Sequence, residues 1–424
     1  MENHRRKRLG RVVKTILFGL FVLCLQVSLT VAETAATINI SKNNYEQGIL
    51  NTIKDIQRLN HQQALDSTRH LIQQYPHSRL GQMLYADLLL AKAKPLAHIG
   101  LGLKTDQAAR DFKHEIRQRW QHKHNTAYAS MYPENILFLA DSQPYVILVD
   151  LRNSRIYIYR NDQGIPVLET DYFISIGLQG SGKQKRGDQK TPIGIYHITQ
   201  YIDGEELPDL YGAGAFPISY PNVWDKRRHR TGDGIWIHGT PAATYNRSPW
   251  ASDGCIVVSN PDFQHIYQYI KAGIHTPVVV TEQVNWLTQV EWQTQRQQWL
   301  QTISQWINDW QSLDHMRYRS HYSQTTFKSQ GRDFNDWDDY KRRVNHQKSY
   351  IHVEYSDLNA FNYPGETDLV LMQFQQNYSS NNFNSISPKE LYWRKHDQQW
   401  KIVYEGPHKF PGPGSALADV QLAD

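Results

Sequence analysis

From Asn44 to Asp111 the apolar positions recur at three- and four-residue intervals. Ala64-Leu65, Thr68, Leu71-Ile72 and Tyr75 form one run, and Leu80, Met83-Leu84, Leu88 and Leu90-Ala91 form the next. This spacing predicts helices, broken at Tyr75-Pro76. From Tyr145 the period changes to two. Tyr145 to Asp150, Arg155 to Tyr159, Tyr172 to Ile176, Ile193 to Ile198, Ile235 to Ile237 and Val278 to Val280 read as strands punctuated by Gly and Pro, ending near Glu282. From about Asn285 a long helix is expected, with Trp292, Trp299, Trp306 and Trp310 on one face, and helical character continuing from Asp309 to Phe327. After a polar break, Ser349 to Leu358, Leu369 to Tyr378, Glu390 to His396 and Trp400 to Tyr404 alternate as antiparallel strands. The pattern predicts a multidomain α+β chain: a helical segment over 33–135, a mostly β domain over 140–283 and an α+β domain over 285–410. A Pro- and Gly-rich stretch from Gly406 to Gly414 leads into a flexible tail at 411–424.

Charge changes the picture at the N-terminus. Of the 46 Lys and Arg and 41 Asp and Glu, six and one respectively fall in residues 1–32, so the rest carries 40 of each. That balance argues against a body built to bind nucleic acid. Residues 1–32 read as a signal peptide: a basic stretch, an apolar run from Ile16 to Leu25 and small residues at Thr30-Val31-Ala32. The run is short of the roughly 20 residues of a spanning helix. An uncleaved anchor is the alternative; on the favoured reading the membrane is met only through this segment before cleavage.

Cleavage removes Cys24 and leaves Cys255 alone. An unpaired cysteine in an exported protein is intermolecular, buried and inert, or a reactive thiol. Its surroundings favour the last. Ile235-Trp236-Ile237 delivers His238 to a strand end, and Gly239-Thr240 follows. A polar loop leads to Ser252-Asp253-Gly254-Cys255. An imidazole can take a thiol proton and stabilise the thiolate as an ion pair. Gly254 permits a tight turn whose N–H groups could face an oxyanion. A structural cysteine beside a packing histidine is the competing reading. One Cys and scattered His give no metal-ligand spacing, and neither metal nor cofactor is expected.

These residues resemble the signature of the L,D-transpeptidase catalytic domain, the YkuD family, whose pattern is His-Gly, a loop, then Ser-His-Gly-Cys. Lys190-Thr191-Pro192-Ile193-Gly194, Tyr211-Gly212, Phe216-Pro217 and Tyr220-Pro221-Asn222 resemble its upstream elements, and Asn260 its downstream asparagine. The last segment resembles the cone-shaped fold of nuclear transport factor 2, which accompanies this catalytic domain in some Gram-negative cell-shape enzymes. The helices around Tyr75-Pro76 resemble one tetratricopeptide-like hairpin.

The resemblance implies a periplasmic enzyme of peptidoglycan. Cys255 is the implied nucleophile on the bond between diaminopimelate and D-alanine of a tetrapeptide stem. His238 is the implied base, oriented by the Gly239 carbonyl. Transfer to an amine makes a transpeptidase; transfer to water makes an L,D-carboxypeptidase. Two departures matter. Asp253 stands where the motif has histidine, and Val257 where an arginine is often found. They motivate a third alternative, a catalytically decayed wall-binding scaffold. A carboxylate beside the thiol raises its pKa, so Asp253 is expected to point away, to pair with Arg227, Arg228 or Arg230, or to bond its own backbone. Arg186, Lys190 and Arg230 are candidate replacements for the arginine, with Tyr211 and Asn260 as further substrate contacts. A protein partner could use the helical segment or the C-terminal domain, where Trp306, Trp310, Trp337 and Trp393 either line a pocket or fill a core.

Overall fold

The computed structural model describes residues 44–93, 106–124, 128, 130–270 and 275–409. The signal-peptide reading and the 411–424 tail lie outside these residues. The helical part comprises α1 (Asn44–Gln57), α2 (His61–Gln74), α3 (Arg79–Ala93) and α4 (Asp106–His124). The break falls as the pattern predicts, between Gln74 and Arg79. Tyr45, Ile49, Leu71, Leu80, Leu84 and Phe112 form its core.

Two short strands follow, β1 (Tyr132–Pro133) and β2 (Ile136–Phe138). The central part then contains β3 (Tyr145–Asp150), β4 (Arg155–Asp162), β5 (Ile165–Phe173), β6 (Ile176–Gly177), β7 (Gly194–His197), β8 (Ile202–Asp203) and β9 (Gly214–Pro217). It continues through α5 (Val223–Arg227), β10 (Trp236–His238), β11 (Trp250–Ser252), β12 (Ile256–Val257), α6 (Asn260–Ile270) and β13 (Pro277–Thr281). A five-stranded sheet runs β5-β4-β3-β13-β7 and a four-stranded one β12-β10-β9-β8. Val and Ile fill both faces of β3 and β13, which pair in parallel at the centre of the larger sheet.

The C-terminal part contains β14 (Trp286–Leu287), α7 (Gln289–Gln311), α8 (His315–Arg319), β15 (Lys328–Ser329), β16 (Arg332–Asp333) and α9 (Phe334–His346). Four long strands complete it: β17 (Ile351–Asn362), β18 (Leu369–Ser380), β19 (Phe383–His396) and β20 (Gln399–Pro407). Helix α7 starts four residues later than expected, because Thr288 and Glu291 form a capping box. Continuous helix through Phe327 is corrected. Leu313 turns the chain at φ 62°, and Asp314 caps the five-residue α8. The polar break hides α9, capped by Asp333 and burying Phe334 and Trp337.

All four tryptophans of α7 are buried; Trp299, Trp306 and Trp310 share one cluster with Trp337, Trp393, Met372 and Leu391. They fill a core: a cavity of only about 10 Å³ remains beside Trp306 and Trp393. Residues 132–138 belong with this end of the chain. β1 pairs β14, and β2 is the edge strand of the sheet β2-β17-β18-β19-β20. Val146, Leu148, Tyr157 and Val279 share a cluster with Phe361, Tyr363, Leu371 and Tyr392, so the central sheet and the C-terminal sheet have a common core.

Candidate active site

The His238 and Cys255 segments meet because β10 and β12 pair in parallel, Ile237 opposite Ile256 and His238 opposite Val257. Alternation along the strands then points Cys255 and His238 to one face. Both line a cleft of about 540 Å³, together with Leu178, Tyr211, Arg247 and Asp253.

His238 is buried, and its Nδ1 lies 2.7 Å from the Gly239 carbonyl oxygen. A carbonyl only accepts, so Nδ1 carries the hydrogen and Nε2 keeps its lone pair. The Tyr211 ring meets the imidazole edge-on at 5.1 Å. Burial holds His238 down to about 4, with the Arg247 charge acting in the same direction. Cys255 is part-exposed, and its Sγ contacts the Gly234 carbonyl at 3.5 Å. Burial also pushes this thiol up. A backbone hydrogen bond from Trp236 and the cations Arg247 and Lys183 oppose that rise; Asp253 adds to it. Both shifts favour the neutral thiol and neutral imidazole over the ion pair.

The supporting turn is covered by glycine and small polar groups. A Cβ on Gly239 would come within 2.2 Å of Asn260 Oδ1. That oxygen accepts from the Ala213 and Thr240 N–H groups, and Asn260 Nδ2 donates to the Thr240 carbonyl. Asn260 thus clamps the His-Gly turn and is spent on backbone, which corrects its expectation as a substrate contact. Gly254 sits at φ 123°, with the Lys190 carbonyl 2.7 Å from where its Cβ would lie. Its N–H donates to Ser252 Oγ, which in turn donates to the Cys255 carbonyl. Ser252 therefore clips the turn, and the Gly254 N–H is already engaged rather than free for an oxyanion.

Asp253 is exposed and accepts from Gln189 Nε2 at 2.8 Å. None of the three expected arginines reaches it. Arg227 donates to carbonyls of the C-terminal part, among them Val403; Arg228 pairs with Glu366, and Arg230 with Asp225 and Glu366. Arg230 is accordingly no candidate for carboxylate recognition in the cleft. Lys190 meets the site through its backbone, and its side chain is not in the cleft lining. Arg186 lines the rim, paired with Asp233. Tyr211 lines the cleft.

The cation that sequence reasoning missed is Arg247. Its guanidinium lines the cleft, donates to the Ala251 carbonyl at 3.2 Å, and interacts with the charges of Cys255 and Asp253. The signal was present: Arg247 is the only basic residue between His238 and Cys255. Lys183 is the second, buried and bonded to Asp188 at 2.8 Å. Among the described residues no cluster of three metal-ligating side chains occurs.

Comparison with known proteins follows the same division. Residues 144–280 match the L,D-transpeptidase catalytic domain (YkuD), and residues 298–406 the Cds6 C-terminal NTF2-like domain. Bd1075 of Bdellovibrio bacteriovorus is 28% identical, with a TM-score of 0.58 over 66% of this chain and 99% of that one. The helical cell shape determining protein Pgp2 of Campylobacter jejuni is 25% identical, with a TM-score of 0.55 over 64% of this chain and 95% of that one. No curated protein matches the chain. The chain therefore carries an L,D-transpeptidase catalytic domain of the YkuD family and, C-terminal to it, an NTF2-like domain.

Proposed function

We propose that the chain is a periplasmic L,D-transpeptidase of peptidoglycan with Cys255 as nucleophile and His238 as general base. The observation that supports this most is an imidazole whose Nδ1–H is given to Gly239, in one cleft with the thiol that immediately precedes the neighbouring strand. His238 Nε2 takes the thiol proton as Sγ attacks the carbonyl between diaminopimelate and the terminal D-alanine. The tetrahedral intermediate collapses, the C–N bond breaks, and the imidazolium gives its proton to the leaving amine. A thioester remains on Cys255. An incoming amine resolves it to a cross-link, returning a proton through His238 to the thiolate.

A resting neutral pair suits this order of events: the thiolate forms as attack begins, when the departing positive charge is an adjacent imidazolium. The Asp253 carboxylate, bonded to Gln189 and facing solvent, is compatible with this. The Cys255 N–H, at the turn that Gly254 opens, is the proposed oxyanion donor.

Hydrolysis of the same thioester is the second reading. It is favoured by the solvent-exposed rim of the cleft at Arg186 and Asp233. Incubation with disaccharide tetrapeptides separates the two. Dimers joined through diaminopimelate are expected; tripeptide monomers alone would make the enzyme a carboxypeptidase. Absence of any adduct between a carbapenem and reduced Cys255, seen by mass, would leave a wall-binding scaffold.

The pH dependence follows from burial. Because His238 titrates near 4, its base form persists from about pH 5 upward. The acid limb of kcat/KM is expected close to pH 4 rather than at the ordinary histidine value of about 6.5. A profile falling by half at pH 6.5 would mean that the imidazole is solvated in the free enzyme.

A further inference from the structure

A second cleft of about 450 Å³ lies between the helical part and the loop that joins His238 to Cys255. One wall is the α2–α3 turn, with His77 and Arg79. The other is the 241–251 loop, with Asn246 and Arg247. It shares Arg247 and Ala251 with the Cys255 cleft, so the two are neighbours across one guanidinium.

Three properties mark it as built. Every ionisable side chain in its lining is basic: His77, Arg79 and Arg247. Neither arginine forms a salt bridge among the described residues; Arg247 donates to the Ala251 carbonyl and feels Asp253 only at longer range. The walls are also fixed to each other. The Tyr245 N–H donates to the His77 carbonyl at 3.0 Å, and the Tyr245 ring packs 4.3 Å from Tyr45 and 4.9 Å from Tyr75. Asn246 Nδ2 donates at 2.7 Å to Glu115, which is held in turn by Arg119. Two guanidiniums without a salt-bridge partner, carried by walls fixed to each other, can receive a planar anion.

We propose that this cleft binds a carboxylate of a wall stem peptide, with Arg79 and Arg247 as its cations. This rests on the reading of the Cys255 cleft as a stem-peptide site. It gives the helical part a role in recognition, although neither family match includes that part. It also supplies a cation beside the thiol where the sequence has Val257. The carboxylate belongs either to the stem being cleaved, lying across Arg247, or to a second stem that accepts the acyl group.

The test is calorimetric titration of disaccharide tetrapeptide into the full chain carrying Cys255→Ala. Adding Arg79→Ala is expected to weaken binding about tenfold. Adding Arg69→Ala, which removes an exposed charge of α2 paired with Asp66, is expected to leave binding unchanged. Peptide with its carboxylates amidated is expected to bind weakly, and equally with or without Arg79. Affinity within twofold of the parent in the Arg79→Ala chain, or equal weakening by Arg69→Ala, overturns the proposal. Wild-type enzyme acylated by a carbapenem names the stem: retained, Arg79-dependent binding identifies the acceptor, and lost binding identifies the donor. Failure of the carbapenem to acylate would instead count against the nucleophile assignment, while the titration still judges the cleft.

Discussion

Cys255→Ala is expected to abolish turnover of tetrapeptide stems while leaving the fold intact. The alanine keeps the Cβ, and the sulfur gives up only weak backbone contacts, the long one to the Gly234 carbonyl and that from Trp236. Cys255 is the one thiol in the cleft, and the nearby Ser252 hydroxyl is committed to the Cys255 carbonyl. The loss should be several orders of magnitude in kcat, as for other nucleophile deletions. Steady-state assay of released D-alanine reads it, with circular dichroism as the fold control. Measurable turnover in the folded variant would remove the thioester from the mechanism.

Glu46→Ala is expected to cost about 3–5 kcal/mol of stability, the scale on which a buried ion pair fails when one partner is removed. Glu46 of α1 pairs with Arg155 of β4 and approaches Arg119 of α4 at 3.6 Å. Both guanidiniums are almost wholly buried, at 1% and 2% exposure. Asp171 also holds Arg155, at 3.0 Å, and His122 at 2.8 Å. Burial alone would raise the Glu46 carboxyl, but Arg155 and Arg119 outweigh it and hold it below the usual range. Asp171 behaves alike under His122 and Arg155. A carboxylate depressed in the native state stabilises it above the unfolded pKa, near 4, and that share is lost as pH falls further. Urea unfolding at pH 7 reads the variant. An unchanged midpoint would mean that Arg119 and Arg155 do not depend on Glu46.

What could be read from the chain was local. Period-two runs found β3, β4 and β13, and the helical spacing found α2 and α3 with their break at Tyr75-Pro76. The pairing of a terminal strand histidine with a glycine-preceded thiol was equally legible, since it depends on chemistry within eighteen residues. Three things were not legible. The push of His238 and Cys255 toward their neutral forms comes from burial by residues distant in sequence, such as Tyr211. The work of Asn260 depends on a turn 20 residues upstream folding over it. The displacement of Arg230 by Arg247 depends on Asp225 and Glu366 capturing the former. Helix α9 was hidden for another reason: its charged surface outnumbers the few apolar residues it buries.

Strand β2 has a final implication. Its three residues precede the catalytic region in the chain but complete a sheet whose other strands begin more than 200 residues later. During synthesis this edge must therefore wait, unpaired, until almost the whole polypeptide has left the ribosome. A truncation after residue 284 would not release a tidy enzyme. It would strip Phe361, Leu371 and Tyr392 from Val146 and Leu148, leaving an oily face on the five-stranded sheet of the catalytic domain.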